Sequence, residues 1–134
     1  MSAARVLIGV ITLIGVAAVL TTCRDSVEPP LPGWVDVRLT SPNGDDGGIL
    51  FTVSGAQIDS VRSAFPNTFT RQESASVVRV IVTGTLTSGV VAQVFVPDVH
   101  VLSPYATSLV EIASRTFEQR SPAGYTLELS GPGE

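Results

Sequence analysis

The sequence predicts an all-β fold, a single antiparallel β-sandwich of about seven strands, a number typical of sandwiches of this length, over residues 34–131. Three observations carry that expectation. Apolar and polar residues alternate with period two in several short segments, two further segments are almost continuously β-branched, and clusters of Gly, Pro, Asn, Asp and Ser separate them at short intervals.

The first strand is expected where Val35, Val37 and Leu39 alternate with Asp36, Arg38 and Thr40. Period two places one set of side chains on a buried face and the other in solvent. Ser41 to Gly48 is turn chemistry throughout. Ile49, Phe51 and Val53 then alternate with Leu50, Thr52 and Ser54, and Gly55 closes the second strand. Ala56 to Arg62 keeps no clean register, which suggests a bulge or an irregular crossing. Phe65-Pro66-Asn67 punctuates, and Thr68 to Gln72 fits a short edge strand.

Val77 to Thr83 is expected as a central strand covered on both sides and ended by Gly84. Val90 to Val96 is a second such run, closed by Pro97-Asp98 because proline cannot donate to a ladder. Ser108 to Phe117 admits two readings. Ser108 and Glu111 have capping-box spacing, and Leu109, Ile112, Ala113 and Phe117 could line one helical face. The strand is the expectation, since every neighbouring element is β and the Pro104 and Pro122-Ala123-Gly124 punctuation suits a hairpin pair. Tyr125, Leu127 and Leu129 alternate with Thr126, Glu128 and Ser130 in the last strand.

Upstream of this domain the chain is organised differently. Arg5 precedes an apolar run from Val6 to Leu20, broken by nothing more polar than Thr12, and Thr21-Thr22-Cys23-Arg24-Asp25 follows. A spanning helix needs about 20 apolar residues, more than this run offers, so residues 1–22 read as a signal peptide. Leu20-Thr21-Thr22-Cys23 resembles the lipobox of bacterial lipoproteins, with Leu three positions before the Cys. Thr22 departs from it, because Gly, Ala or Ser usually stands there. The resemblance implies cleavage before Cys23, a thioether-linked diacylglycerol on its sulfur and an acyl chain on its new amino group. Two or more chains hold a protein stably on a membrane where one does not. The implied location is the bacterial cell envelope, facing the periplasm or the cell surface. The other reading is an ordinary secreted protein with Cys23 as a free thiol. Residues 23–33 contain Pro29, Pro30 and Pro32, which favour an extended, semi-stiff tether. Over Trp34 to Ser130 the strand rhythm resembles immunoglobulin-like and, more loosely, cohesin-like sandwiches.

Beyond residue 22 the chain carries seven Arg and no Lys against twelve acids, a net charge of −5. The arginines are dispersed singly, which argues against a nucleic-acid partner. Cys23 is the only cysteine, so no intrachain disulfide can form and the domain must stand on its core.

The sequence offers little for catalysis, and no catalytic residue, cofactor or metal site is assigned. His100 is the one histidine; in an extended segment Asp98 would share its face and could orient it, but a loop histidine is the plainer reading. Asn43-Gly44-Asp45-Asp46-Gly47-Gly48 has acidic oxygens and glycines but not the ligand alternation of an EF-hand, so a solvated hairpin tip is expected. One His and one Cys cannot furnish a usual zinc site. No two of the twelve acids pair as glycosidase carboxylates do. Phe51 and Phe95 are expected in the core, and Trp34, Tyr105 and Phe69 at element edges. The resulting expectation is a non-catalytic, envelope-anchored sandwich that binds an unidentified protein or glycan or serves structurally. The alternatives are a carbohydrate-binding surface module and a small periplasmic hydrolase.

Overall fold

The computed structural model describes residues 26–134. The signal segment, the lipobox-like residues and Cys23 lie outside the described residues.

Nine strands form two antiparallel sheets: β1 Gly33–Thr40, β2 Asp46–Ser54, β3 Ser60–Arg62, β4 Asn67–Ser74, β5 Val77–Leu86, β6 Gly89–Val96, β7 Ala106–Ser114, β8 Gln119–Arg120 and β9 Thr126–Ser130. One sheet has the order β3-β6-β1-β9 and the other β4-β5-β2-β7-β8. The chain is an all-β sandwich. The count exceeds the expected seven through the very short β3 and β8. Ser108–Phe117 resolves as strand up to Ser114, in β7, paired to β2 on one side and β8 on the other.

Alternation builds the core. Val35, Val37 and Leu39 of β1 face Ile49, Phe51 and Val53 of β2 and Val78, Val80 and Val82 of β5 across the sandwich, all essentially fully buried. Burying each such side chain contributes about 1.5–3 kcal/mol. In β6 both Val91 and Ala92 are buried, because a bulge opposite Val37/Arg38 inserts one residue and turns successive side chains inward.

Several local expectations are corrected. β5 is covered on one face only: Arg79 and Ile81 are exposed between buried Val78, Val80 and Val82. Each sheet has only the other sheet to pack against, so the outer β-branched residues satisfy strand propensity rather than burial. Gly84 does not end β5; at φ 149° it carries the strand on to buried Leu86. The segment Ser41–Asp45 is not a hairpin tip, because β1 and β2 lie in different sheets. Likewise Pro122-Ala123-Gly124 joins β8 in one sheet to β9 in the other, and the hairpin is β7–β8. Phe51 is in the core, but Phe95 is not. It is half-buried on the outer face of the four-stranded sheet, edge-on to Trp34 at 5.3 Å between ring centres.

These connections give the sandwich two unlike ends. Gly33, the first residue of β1, pairs with Val96 at one end; Ser41, Asp46 and Ser114 lie at the other. The eight residues of β1 separate the ends by roughly 25 Å at the rise of a strand.

Candidate functional site

The far end is organised around Asp46, the first residue of β2, which is completely buried. Arg120 of β8 donates through Nη1 to its Oδ1 at 2.6 Å and to Asp45 Oδ1 at 3.0 Å. Tyr125, just before β9, donates its hydroxyl to the same Asp46 oxygen at 2.7 Å, and Asn43 Nδ2 donates to that hydroxyl at 2.8 Å. Ser41 Oγ donates to Oδ2. Three separate segments, the β1–β2 connection, β8 and the approach to β9, therefore converge on one carboxylate. Burial pushes the Asp46 pKa up, but the hydrogen bonds from Ser41, Tyr125 and Arg120 and the Arg120 charge outweigh it and hold the carboxyl below its ordinary value. Hydrogen bonds to Asp45 and then Asp46 raise the Arg120 pKa, so the guanidinium stays charged. The expected solvated tip is thus, at Asp46, a buried ionic knot; the sequence shows two adjacent acids and gives no sign that the second is enclosed.

The knot braces the β7–β8 hairpin. Ser114 N donates to Glu118 O at 2.8 Å, Phe117 N donates to Ser114 O at 3.0 Å, and Ser114 Oγ accepts from the amides of Thr116 and Glu118. This closes a three-residue loop whose last residue takes the left-handed conformation, a position that normally falls to Gly. Here it is Phe117, at φ 64°, the one non-glycine with positive φ among the described residues. Its side chain is 93% exposed. A non-glycine residue in this region costs about 1–2 kcal/mol, and leaving a Phe in water forgoes about 1.5–3 kcal/mol of burial. Neither backbone preference nor packing accounts for a Phe here.

Beside Phe117 the outer face of the five-stranded sheet is apolar. Phe69, Ile81 and Leu50 are direct cross-strand neighbours on β4, β5 and β2, with Phe69 65% and Ile81 40% exposed. Gly48 has no side chain to fill the surface next to Leu50, and a recess of about 360 Å³ opens there, bounded by Ile81, Glu111, Gln119 and Phe117. Exposed apolar surface of this kind marks interaction sites.

The outer face of the four-stranded sheet is polar. Arg62 Nε donates to Gln93 Oε1 at 2.8 Å, Gln93 Nε2 donates to Asp36 Oδ1 at 2.6 Å, Arg38 Nη2 reaches Asp36 Oδ2 at 3.3 Å, and Arg38 Nε donates to Ser130 Oγ at 2.9 Å. This ladder crosses all four strands. Trp34 stands beside it, with the Arg62 guanidinium 4.0 Å from its ring centre. Tyr105 is half-buried against the core and donates its hydroxyl to Gln57 O at 2.6 Å. Burial, with a smaller effect of the Asp59 charge, raises its pKa.

His100 lies at the Gly33 end. Asp98 Oδ1 accepts from the His100 amide at 3.0 Å and the Leu31 amide at 3.3 Å, and stands 3.5 Å from His100 Nδ1. Val99 N donates to Leu31 O at 2.9 Å. Asp98 therefore caps a turn that pins Leu31 to the domain. Among the described residues no group of three or more His, Cys, Asp and Glu is placed to hold a metal ion.

Of the aromatics singled out from sequence, Phe69 joins the apolar face, while Trp34 and Tyr105 lie elsewhere. The sequence reading missed Phe117 as a site residue. The usable signal was a strand-connecting loop, Arg115-Thr116-Phe117, lacking any Gly or Asn, and it was hidden by the strand-or-helix ambiguity. A direct check is the Phe117→Gly variant. It should unfold at a higher urea concentration than the wild type, by about 1 kcal/mol, the conformational strain less the entropy that Gly adds to the unfolded chain. A lower midpoint would mean that the ring contributes packing to the fold.

Comparison with protein-family models, with curated proteins and with solved structures finds no match to this chain. The fold and the site define a two-sheet β-sandwich domain with an aromatic-tipped hairpin at the end remote from Gly33.

Proposed function

We propose that this chain is a lipid-anchored, non-catalytic binding module of the bacterial envelope, held by acyl groups on Cys23 and presenting the Phe117 hairpin and its apolar recess to a protein partner. The observation that carries the reading is Phe117: a strained backbone and a solvated ring in one residue, braced from below by a buried ionic knot. Strain at a position that the surrounding structure over-determines points to a role outside the fold. The hairpin's place supports the anchor as well. A tether entering at Gly33 leaves Phe117 at the far end, directed away from the surface to which Cys23 would be bound. The likeness of strand rhythm to immunoglobulin-like sandwiches belongs to the same proposal, supported by the sheets of four and five strands.

Two arms of one experiment test it. In bacteria expressing the full chain, mass spectrometry of the mature amino terminus should find acylated Cys23, and Cys23→Ser should remain unprocessed. An unmodified terminus downstream would refute the anchor. In the same cells a photo-crosslinking residue at position 117 should give a discrete heavier adduct that the same residue at Glu128, on the opposite outer face, does not; adducts at both or at neither would sink the binding site.

The carbohydrate reading rests on one feature, half-buried Trp34 near a groove of about 500 Å³ whose lining includes Asp36, Arg62 and Gln93 among apolar residues. Sugars stack on an open ring face, and Arg62 already covers one face of this ring. For that reason it ranks second.

A further inference from the structure

β4 is the open edge of the five-stranded sheet, bonded to β5 alone. Seven of its eight residues are exposed, so the strand extends past the cover of the other sheet and is held almost entirely by its single ladder. A long edge is a template for further pairing, and proteins usually blunt it with Pro, Lys, a bulge or a covering loop. β4 contains no Pro and no Lys, and its register with β5 is regular from Asn67 to Gln72, the irregularity falling between Gln72 and Ser74.

The outer side chains of this edge are Asn67, Phe69 and Arg71, with Phe69 at their centre. Arg71 stands directly opposite Arg79, a like-charge pair that destabilises a sheet, and Arg79 already has Glu73 at 3.3 Å. Among the described residues Arg71 has no carboxylate partner. An antiparallel strand related by a two-fold axis at Phe69 would bring the acceptor oxygen of Asn67 opposite Arg71, twice. It would also keep the two Arg71 residues apart, whereas an axis at Arg71 would oppose them. The rows Leu50-Ile81-Phe69 of both copies would meet end to end, and Thr68 would face Thr70, a favourable cross-strand pair.

We propose that two copies of this chain associate through β4, antiparallel and two-fold symmetric about Phe69, joining their five-stranded sheets into one continuous sheet. The association is independent of the anchor and of the Phe117 hairpin, and it leaves that hairpin open in both copies.

Single cysteines placed along β4 in the full chain carrying Cys23→Ser test it, since the introduced thiol is then the only one. The purified chain in detergent is oxidised mildly and its mass read without reductant. Phe69→Cys should convert most of the chain to dimer, because only the residue on the axis faces its own copy. Thr68→Cys and Thr70→Cys should each stay monomeric alone and form a dimer when mixed, a readout that keeps the Phe69 ring in place. Val110→Cys, exposed on β7, is the control and should stay monomeric. A dimer yield for Phe69→Cys, or for Thr68→Cys mixed with Thr70→Cys, no greater than for Val110→Cys, or a single-variant maximum at any residue other than 69, would overturn the proposal.

Discussion

Asp46→Ala is expected to lower the stability of the domain by about 3 kcal/mol, the cost of removing a fully buried carboxylate that accepts from Ser41, Tyr125 and Arg120. A domain of this size has roughly 5–15 kcal/mol in total, so the variant should lose a large share of it. The size of the effect follows from what is left behind. The Tyr125 hydroxyl loses its acceptor inside the protein, Ser41 Oγ keeps only the Asn43 carbonyl, and Arg120 keeps only the exposed Asp45 as a carboxylate partner. Because these groups come from the β1–β2 connection, β8 and the start of β9, the loss loosens the whole end that holds the Phe117 hairpin. Urea denaturation at neutral pH would measure it; a midpoint unchanged from the wild type would show that the knot contributes nothing.

The same residue predicts a pH dependence whose sign is fixed. The folded-state pKa of Asp46 lies below its ordinary value of 3.8, so in the titration range the unfolded chain binds more protons than the folded one. Its contribution is therefore complete above that ordinary value and is lost as pH falls through the folded pKa. Asp46→Asn removes the titration while keeping the shape. The stability difference between wild type and Asp46→Asn should be constant from neutral pH to about pH 5 and shrink below about pH 4. A difference that widened with acid would contradict the assignment.

Gly55→Ala is the second large effect, at about 3 kcal/mol or more, combining a backbone conformation costly for any side chain with a rigid clash. Gly55 follows β2 at φ 119°, and a Cβ there would stand 1.9 Å from the carbonyl oxygen of Pro104. The obstacle cannot easily withdraw. Tyr105, the next residue, is fastened by its hydroxyl to Gln57 O and by its amide to Leu102 O. Gly44→Ala is the matching control, since a Cβ there meets nothing within 4 Å, and it should lie within about 0.5 kcal/mol of wild type. Thermal denaturation of the two variants would separate them; equal midpoints would mean that the Pro104 loop yields at little cost.

How far the fold was legible depends on the range of the interactions involved. The alternation of Val35, Val37 and Leu39, or of Ile49, Phe51 and Val53, marks strand and buried face in a few residues, because side-chain direction repeats every second position. The continuous β-branched run of β5 misled, since Val, Ile and Thr suit a strand on either face and the sequence cannot say whether the second face is covered. Phe95 was misplaced for a related reason: the bulge within its own strand β6, at Val91, shifts the alternation by one residue and turns Phe95 to the outer face. Asp46 was illegible as part of a site because Arg120 and Tyr125, which enclose it, are distant in the chain, and Phe117 because nothing local distinguishes an exposed ring from a buried one.

The sequence by itself determined the all-β class and most strand positions. These are local matters, written in periodicity and in the chemistry of consecutive residues. Only the tertiary structure decided which turns join one sheet to the other, that Asp46 is enclosed by Arg120 and Tyr125, and that Phe117 is held strained and solvated at the far end. Those outcomes depend on pairings between distant residues, Asp46 and Tyr125 being 79 positions apart, and a carboxylate is a solvated turn residue or a buried knot according to what the rest of the chain brings to it.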